Sequence, residues 1–168
     1  MKGGLYIKRI KYLVVFSILI VSFILIDYLY QFHENYIESS EKVVSTHLEA
    51  LSNNDIPLYQ STLWQDRKSA FDTFFLGVEL SVISVNYYFN ETPKAKNRYI
   101  NSDLAQKLHC SSDYVKQNFA VVSAEYQISY DNTLVPNIGG HTKSYFYLIR
   151  NNEVSSWYIG DYKHMSTN

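Results

Sequence analysis

The chain passes through three regimes of hydrophobic patterning: one unbroken apolar run, then apolar stripes at helical spacing, then alternation at strand spacing. The run covers residues 12–26, YLVVFSILIVSFILI, and holds no charge and two serines, Ser17 and Ser22. As a helix rising about 1.5 Å per residue it extends about 22 Å, whereas a hydrocarbon core of roughly 30 Å needs about 20 residues. Continuing from Tyr12 to Phe32 supplies that length. Asp27 then sits near the outer edge, where a carboxylate reaches water. Tyr28, Tyr30 and Phe32 fall at the depth where aromatic rings favour the interface.

Beyond the run, Val43, Val44, His47, Leu48 and Leu51 share one stripe, which predicts a helix over 39–52. Ser39 or Ser40 can cap it, and Glu41 lies in the favourable first turn. Asn53-Asn54 stops it. Asp55 caps a second short helix that tolerates Pro57 in its first turn, carries Leu58, Tyr59 and Leu63, and ends near Trp64. A third helix is expected over 66–75, with Ala70, Phe71, Phe74 and Phe75 inward. After Gly77 the period becomes two: Val78, Leu80 and Val82 alternate with Glu79 and Ser81. The phase then slips by one to Ile83, Val85, Tyr87 and Phe89, as a β-bulge in a bent strand would produce. Residues 90–101 read as a polar connection holding Lys94, Lys96 and Arg98, followed by a short helix from Ser102 or Asp103 to His109.

Phe119 opens the clearest strand. Val122, Ala124, Tyr126, Ile128 and Tyr130 face one way and Ser123, Glu125, Gln127 and Ser129 the other. A loop with Pro136 and Gly139-Gly140 leads to a strand from His141 to Arg150, apolar on both faces and so expected to be central. Asn151-Asn152 suits a two-residue hairpin turn. The last strand is expected over 154–162, with Trp157 and Ile159 on one face. Helices first and an antiparallel meander after predict an α+β domain, about three helices on a curved sheet of about four strands.

Charge orients this layout. Of the 15 basic residues, Lys2, Lys8, Arg9 and Lys11 precede the run, whereas Asp27 is the one acid before position 33 of 16. The positive flank places the N-terminus in the cytoplasm and the domain outside. A cleaved signal peptide also fits a basic flank and an apolar core, but Asp, Tyr, Leu, Tyr, Gln, Phe and His follow Ile26, without a small-x-small cleavage site. The expected organisation is a cytoplasmic flank at 1–11, a signal anchor at 12–32, a linker at 33–38, one domain at 39–163 and a polar tail at 164–168. From position 33 on, 11 basic residues stand against 15 acidic, a net charge of −4, which is no nucleic-acid surface. One cysteine, Cys110, forms no internal disulfide and lies far from the run, so it offers no lipid attachment there. Sixteen tyrosines favour a sheet-rich fold and a binding surface.

The order of a helix, Asn54-Asp55, a short helix, a bent strand and three antiparallel strands ending in Trp157-Tyr158-Ile159-Gly160-Asp161 resembles the NTF2-like (cystatin-like, SnoaL-like) cone fold. More narrowly, the segment from Tyr99 to Ala105 and the Trp-x-Ile of Trp157 to Ile159 resemble uncharacterised NTF2-like domains behind one membrane segment or lipid anchor in Gram-positive bacteria. The resemblance covers about residues 38–163. It implies the cone fold and no particular activity, because this fold hosts enzymes, binders and scaffolds alike.

The candidate chemistry is sparse. His33, His47, His109, His141 and His164 are scattered without His-x-His or His-x-x-x-His spacing, so no metal ligand set and no cofactor is expected. No Gly-x-Ser-x-Gly and no P-loop is present, and no catalytic residue is assigned. His47 reads as a partly buried packing residue. Enzymes of the resembled fold use Asp, His or Tyr inside the cone, which makes Tyr59, Trp64, Asp72, Tyr126, Tyr147 and Trp157 the candidate pocket residues. The bland alternative is that the aromatics are core and Asp72 a solvated helix face. Lys94, Lys96 and Arg98 could meet anionic polymer or headgroups, or be an ordinary solvated connection. The expectation is an extracytoplasmic binding or interaction module on the cell membrane, partnered by an envelope protein or a small apolar ligand and by no nucleic acid. The alternatives are a scaffold subunit of an envelope secretion or conjugation complex and an isomerase- or cyclase-type enzyme.

Overall fold

The computed structural model describes residues 3–65, 78–89, 91–100, 113, 118–130, 139–151 and 155–165, with the side chains of the first helix described from Tyr12 on. The chain forms two compact units, Met1–Ile37 and Glu38–Asn168. The expected third helix at 66–75, the expected helix at 102–109 and the turn at Asn152 lie outside the described residues.

One helix, α1 (Gly3–Ser52), replaces the two helices and the linker read from the sequence. Residues 33–38 contain neither Gly nor Pro, so nothing interrupts the backbone ladder, and the stretch expected as a linker is helical. In the first unit every residue from 12 to 35 is exposed, and the segment is long and apolar enough to cross a membrane. Its polar groups are satisfied along the helix. The Ser17 and Ser22 hydroxyls donate to the Leu13 and Ile18 carbonyls, each at 2.9 Å, and Gln31 Nε2 donates to Asp27 Oδ2 at 3.2 Å.

In the second unit α1 buries Val44, His47 and Leu48 of the expected stripe, with Val43 and Leu51 half-buried, and also buries Ser40 and Ala50, which the apolar spacing does not predict. It ends in a Schellman motif. Asn54 adopts φ 54°, Asp55 N–H donates to Ala50 O at 2.8 Å, and Asn54 N–H to Leu51 O at 3.3 Å. Asp55 then caps α2 (Ile56–Ser61), its carboxylate accepting from Leu58 N–H at 3.0 Å. The helix stops at Ser61, short of Trp64. Residues Thr62–Trp64 instead pair with the final strand: Trp64 N–H donates to Ile159 O at 3.0 Å and Ile159 N–H to Thr62 O at 2.8 Å.

Four antiparallel strands follow in the sheet order β1-β2-β3-β4: β1 (Val78–Tyr87), β2 (Phe119–Tyr130), β3 (Gly140–Arg150) and β4 (Trp157–Met165). The chain is therefore α+β. The bulge falls at Ile83, where the alternation slips, between the pairs Val82↔Tyr126 and Ser84↔Glu125. A second register shift leaves Gly160 without a partner between Asp161↔Tyr147 and Ile159↔Leu148. β4 runs to Met165, two residues into the stretch expected as a polar tail. The connection at 90–101 is a helix, α3 (Thr92–Ile100). Pro93 suits its first turn, Glu91 holds Lys94 and Arg98 at 3.4 and 2.9 Å, and Thr92 and Ala95 are buried on its inner side.

The register sorts the sheet into two faces. On one, Ala120, Val122, Ala124 and Tyr126 neighbour Phe146, Leu148 and Ser144, and here the C-terminal part of α1 docks. Its Glu41 carboxylate accepts from Tyr87 N–H at 2.7 Å and its Ser52 hydroxyl donates to Leu80 O at 3.1 Å. Both bonds cover outward backbone groups of the edge strand β1, which blunts pairing with another chain. On the other face Phe119 and Val121 neighbour Ile149 and Tyr147, with α3 beside them.

Candidate functional site

The residues expected to line a pocket divide between the two faces. Trp64 and Tyr147 lie on the face beside α3, where Trp64, Ala95, Phe119, Val121 and Ile149 form a buried cluster flanked by Tyr88, Tyr145, Tyr147 and Tyr158. Three ring pairs build an aromatic tray. Tyr88 stacks on Tyr145 at 5.1 Å and 10°, Phe119 on Tyr147 at 6.3 Å and 23°, and Tyr158 meets Trp64 edge-on at 6.0 Å. Burial raises the Tyr147 phenol pKa, with the carboxylates of Asp161 and Glu91 acting in the same direction and Arg98 against it. Burial also raises Tyr145, whose phenol is hydrogen-bonded to that of Tyr88.

One donor in this cluster lacks an acceptor among the described residues. Trp64 is 6% exposed, and its Nε1 is the one buried side-chain nitrogen or oxygen among the described residues without a hydrogen-bond partner. Leaving such a donor unmet costs about 1–3 kcal/mol. Lys96 lies one helical turn after buried Thr92 and next to buried Ala95. Its ammonium has no counter-ion among the described residues, and burial lowers its pKa. Lys94 and Arg98, by contrast, are exposed and occupied by Glu91.

On the opposite face Tyr59 and Tyr126 belong to a second group. His47 Nδ1 lies 2.8 Å from Thr62 Oγ1, and that hydroxyl donates to Tyr59 O at 2.6 Å. Thr62 can therefore only accept from the imidazole, which fixes the His47 proton on Nδ1. The ring sits 4.4 Å from Tyr59 and 5.8 Å from Phe146, and burial lowers its pKa to about 3. Beyond Phe146, Ser144 Oγ lies 2.7 Å from His164 Nδ1 and 2.9 Å from the Tyr126 phenol. Ser144 has no exposed surface, so the hydroxyl that a nucleophile would offer is closed off from any substrate. This cluster orders the strands rather than presenting a nucleophile.

Trp157 contacts α1 and β3. Its Nε1 donates to Ser39 Oγ at 3.2 Å and the Arg150 guanidinium lies 4.6 Å above its ring. Asp72 lies outside the described residues. Sequence reasoning does not single out Tyr88, Tyr145, Tyr158, Ser144 or His164 as site residues, and it places Lys96 on a loop. The available signal for Tyr145 is its phase in β3, two positions from Tyr147; nothing local marks Ser144 or His164.

A family model described as a domain of unknown function, DUF4829, matches residues 41–162. The match runs from the sheet-docked part of α1 through most of β4 and includes the tray. No curated protein matches the chain.

Proposed function

The chain thus belongs to the DUF4829 family, and from that premise we propose that it is a membrane-anchored binding module. In this reading residues 12–32 cross a bilayer with the N-terminus in the cytoplasm. The domain beyond, read as NTF2-like, holds a small ligand outside the cytoplasm. The continuous exposed apolar surface of residues 12–32 supports the anchor, since a patch of that extent marks contact with lipid or another apolar partner. The four basic residues before it support the orientation. The observation that carries the binding reading is the Trp64 indole N–H, buried in an aromatic cluster without an acceptor. Aromatic walls with few unmet polar groups are the make-up of a small-molecule site.

Two measurements test this. An enzyme reporter that matures only outside the cytoplasm, fused after Asn168, is expected to be active and to lose activity when Lys2, Lys8, Arg9 and Lys11 are replaced by Glu. Native mass spectrometry of the protein extracted from its membrane in polymer discs is expected to show a bound small molecule that is depleted in Trp64→Phe. A silent reporter, or a wild-type spectrum identical to that of Trp64→Phe, contradicts the corresponding half of the proposal.

A scaffold role is favoured by a different observation. Edge strand β1 exposes Val82 and the bulged Ile83, and Phe89 just beyond it, at 43%, 58% and 57%. Light scattering of the solubilised protein distinguishes the two readings: an oligomer that dissociates in Ile83→Lys supports the scaffold.

A further inference from the structure

The segment from Tyr87 to Arg98 sets exposed aromatic and basic side chains together in an otherwise acidic domain. It holds three basic residues, Lys94, Lys96 and Arg98, and one acid, Glu91, a net charge of +2, whereas the residues from 33 on together carry −4. The turn that leaves β1 is fixed by Thr92, whose N–H and hydroxyl both donate to Tyr88 O, at 3.0 and 2.9 Å. It presents Phe89, 57% exposed, with the Tyr87 ring edge-on at 4.7 Å. Glu91 follows two residues on, within about 7 Å of Phe89 from Cα to Cα, and holds Lys94 and Arg98. Their side chains are 70% and 72% exposed. Ion pairs so exposed are worth little, so a dense array of anions draws both cations away. A soluble polyanion would meet the charges but give Phe89 no apolar layer. An anionic bilayer surface supplies both, phosphates for Lys and Arg and an interface that favours aromatic rings. Chain length keeps that surface at hand. Tyr87 N–H donates to the Glu41 carboxylate at 2.7 Å, and Glu41 stands nine residues after Phe32, at most about 32 Å of chain from the end of the anchor.

We infer that the turn between β1 and α3 is a second membrane contact, in which Phe89 enters the headgroup region of an anionic leaflet and Lys94 and Arg98 pair with lipid phosphates. This rests on the reading of residues 12–32 as the anchor and adds a docking of the domain that depends on lipid charge.

The test uses the full chain in nanodiscs of phosphatidylcholine, or of phosphatidylcholine mixed equally with phosphatidylglycerol, with hydrogen exchange read at the backbone amides of residues 89–92. Exchange is expected to be about tenfold or more slower in the anionic discs, since one Lys or Arg near such a leaflet contributes about fivefold. Concentrated salt should erase the difference by screening. Lys94→Gln combined with Arg98→Gln should erase it as well, and Phe89→Ser should reduce it. Each comparison is between two lipids within one protein, so a change in the fraying of α3 cancels, and unaltered exchange in β2 and β3 shows that the fold is kept. If the chain does not enter the discs, the anchor reading falls and the contact with it. If it enters and exchange is the same in both lipids, the contact is overturned while the anchor stands. Protection that ignores lipid charge and grows with the number of chains per disc assigns the turn to a second copy, which also overturns the inference. A Phe89→Ser variant as well protected as the wild type overturns the insertion of the ring.

Discussion

His47 shows how one side chain links the helix stripe to the sheet. Its spacing with Val44, Leu48 and Leu51 marks it as inward-facing, and it is indeed 4% exposed. Its partner Thr62 stands 15 residues away and is brought to it by the tertiary fold, in the segment that pairs with β4. The buried imidazole is neutral, with a folded pKa of about 3 against 6.5 when unfolded. The unfolded chain therefore binds the proton first as pH falls. The stabilisation is complete above about pH 6.5 and is lost at up to about 1.4 kcal/mol per pH unit on acidification toward 3. His164, also lowered by burial, acts in the same direction. Denaturant titrations between pH 4 and 7 should show a shallower pH dependence in His47→Gln, which keeps a donor for Thr62 but does not titrate. Parallel profiles for the two proteins would remove His47 as the cause.

At the scale of elements, the Gly139-Gly140 pair separates local from tertiary information. From sequence both read as turn residues. A Cβ on Gly139 would collide with Ile128 O and come 2.9 Å from Ser129 Cα, backbone atoms of β2 that cannot rotate away. One on Gly140 meets nothing within 4 Å. Gly139→Ala is therefore expected to destabilise by about 1–3 kcal/mol, as overpacking does. Gly140→Ala should be neutral or slightly stabilising, because it removes chain entropy from the unfolded state. Thermal melts of the two variants check this, and equal shifts would contradict the contact. Elements with strong periodicity, β2 and the bulge at Ile83, were legible because alternation depends on the chain's own pleat. α3 was not. Its Lys94, Asn97 and Arg98 are solvent-facing, and its buried side rests on Thr92 and Ala95, too few apolar positions to show a period.

For the whole molecule, the separation into Met1–Ile37 and Glu38–Asn168 predicts that the second unit folds without the first. Residues 38–168 produced alone should be soluble and unfold in one cooperative transition, since the buried clusters and the sheet lie within that range. Aggregation of this fragment, or a broad non-cooperative melt, would mean that the first unit is needed for folding.

The amino-acid sequence by itself determined the apolar segment, the helix stripe of α1, the meander of three strands and the α+β class. Each is a local period of side chains along one piece of chain, and its cause travels with it. Only the tertiary structure decided that Trp64 and Tyr147 share a tray while Tyr59 and Tyr126 lie on the opposite face, and that the Trp64 indole N–H meets no acceptor among the described residues. Those facts depend on strand register and on what a side chain fails to meet, and register is fixed by contacts between segments up to a hundred residues apart.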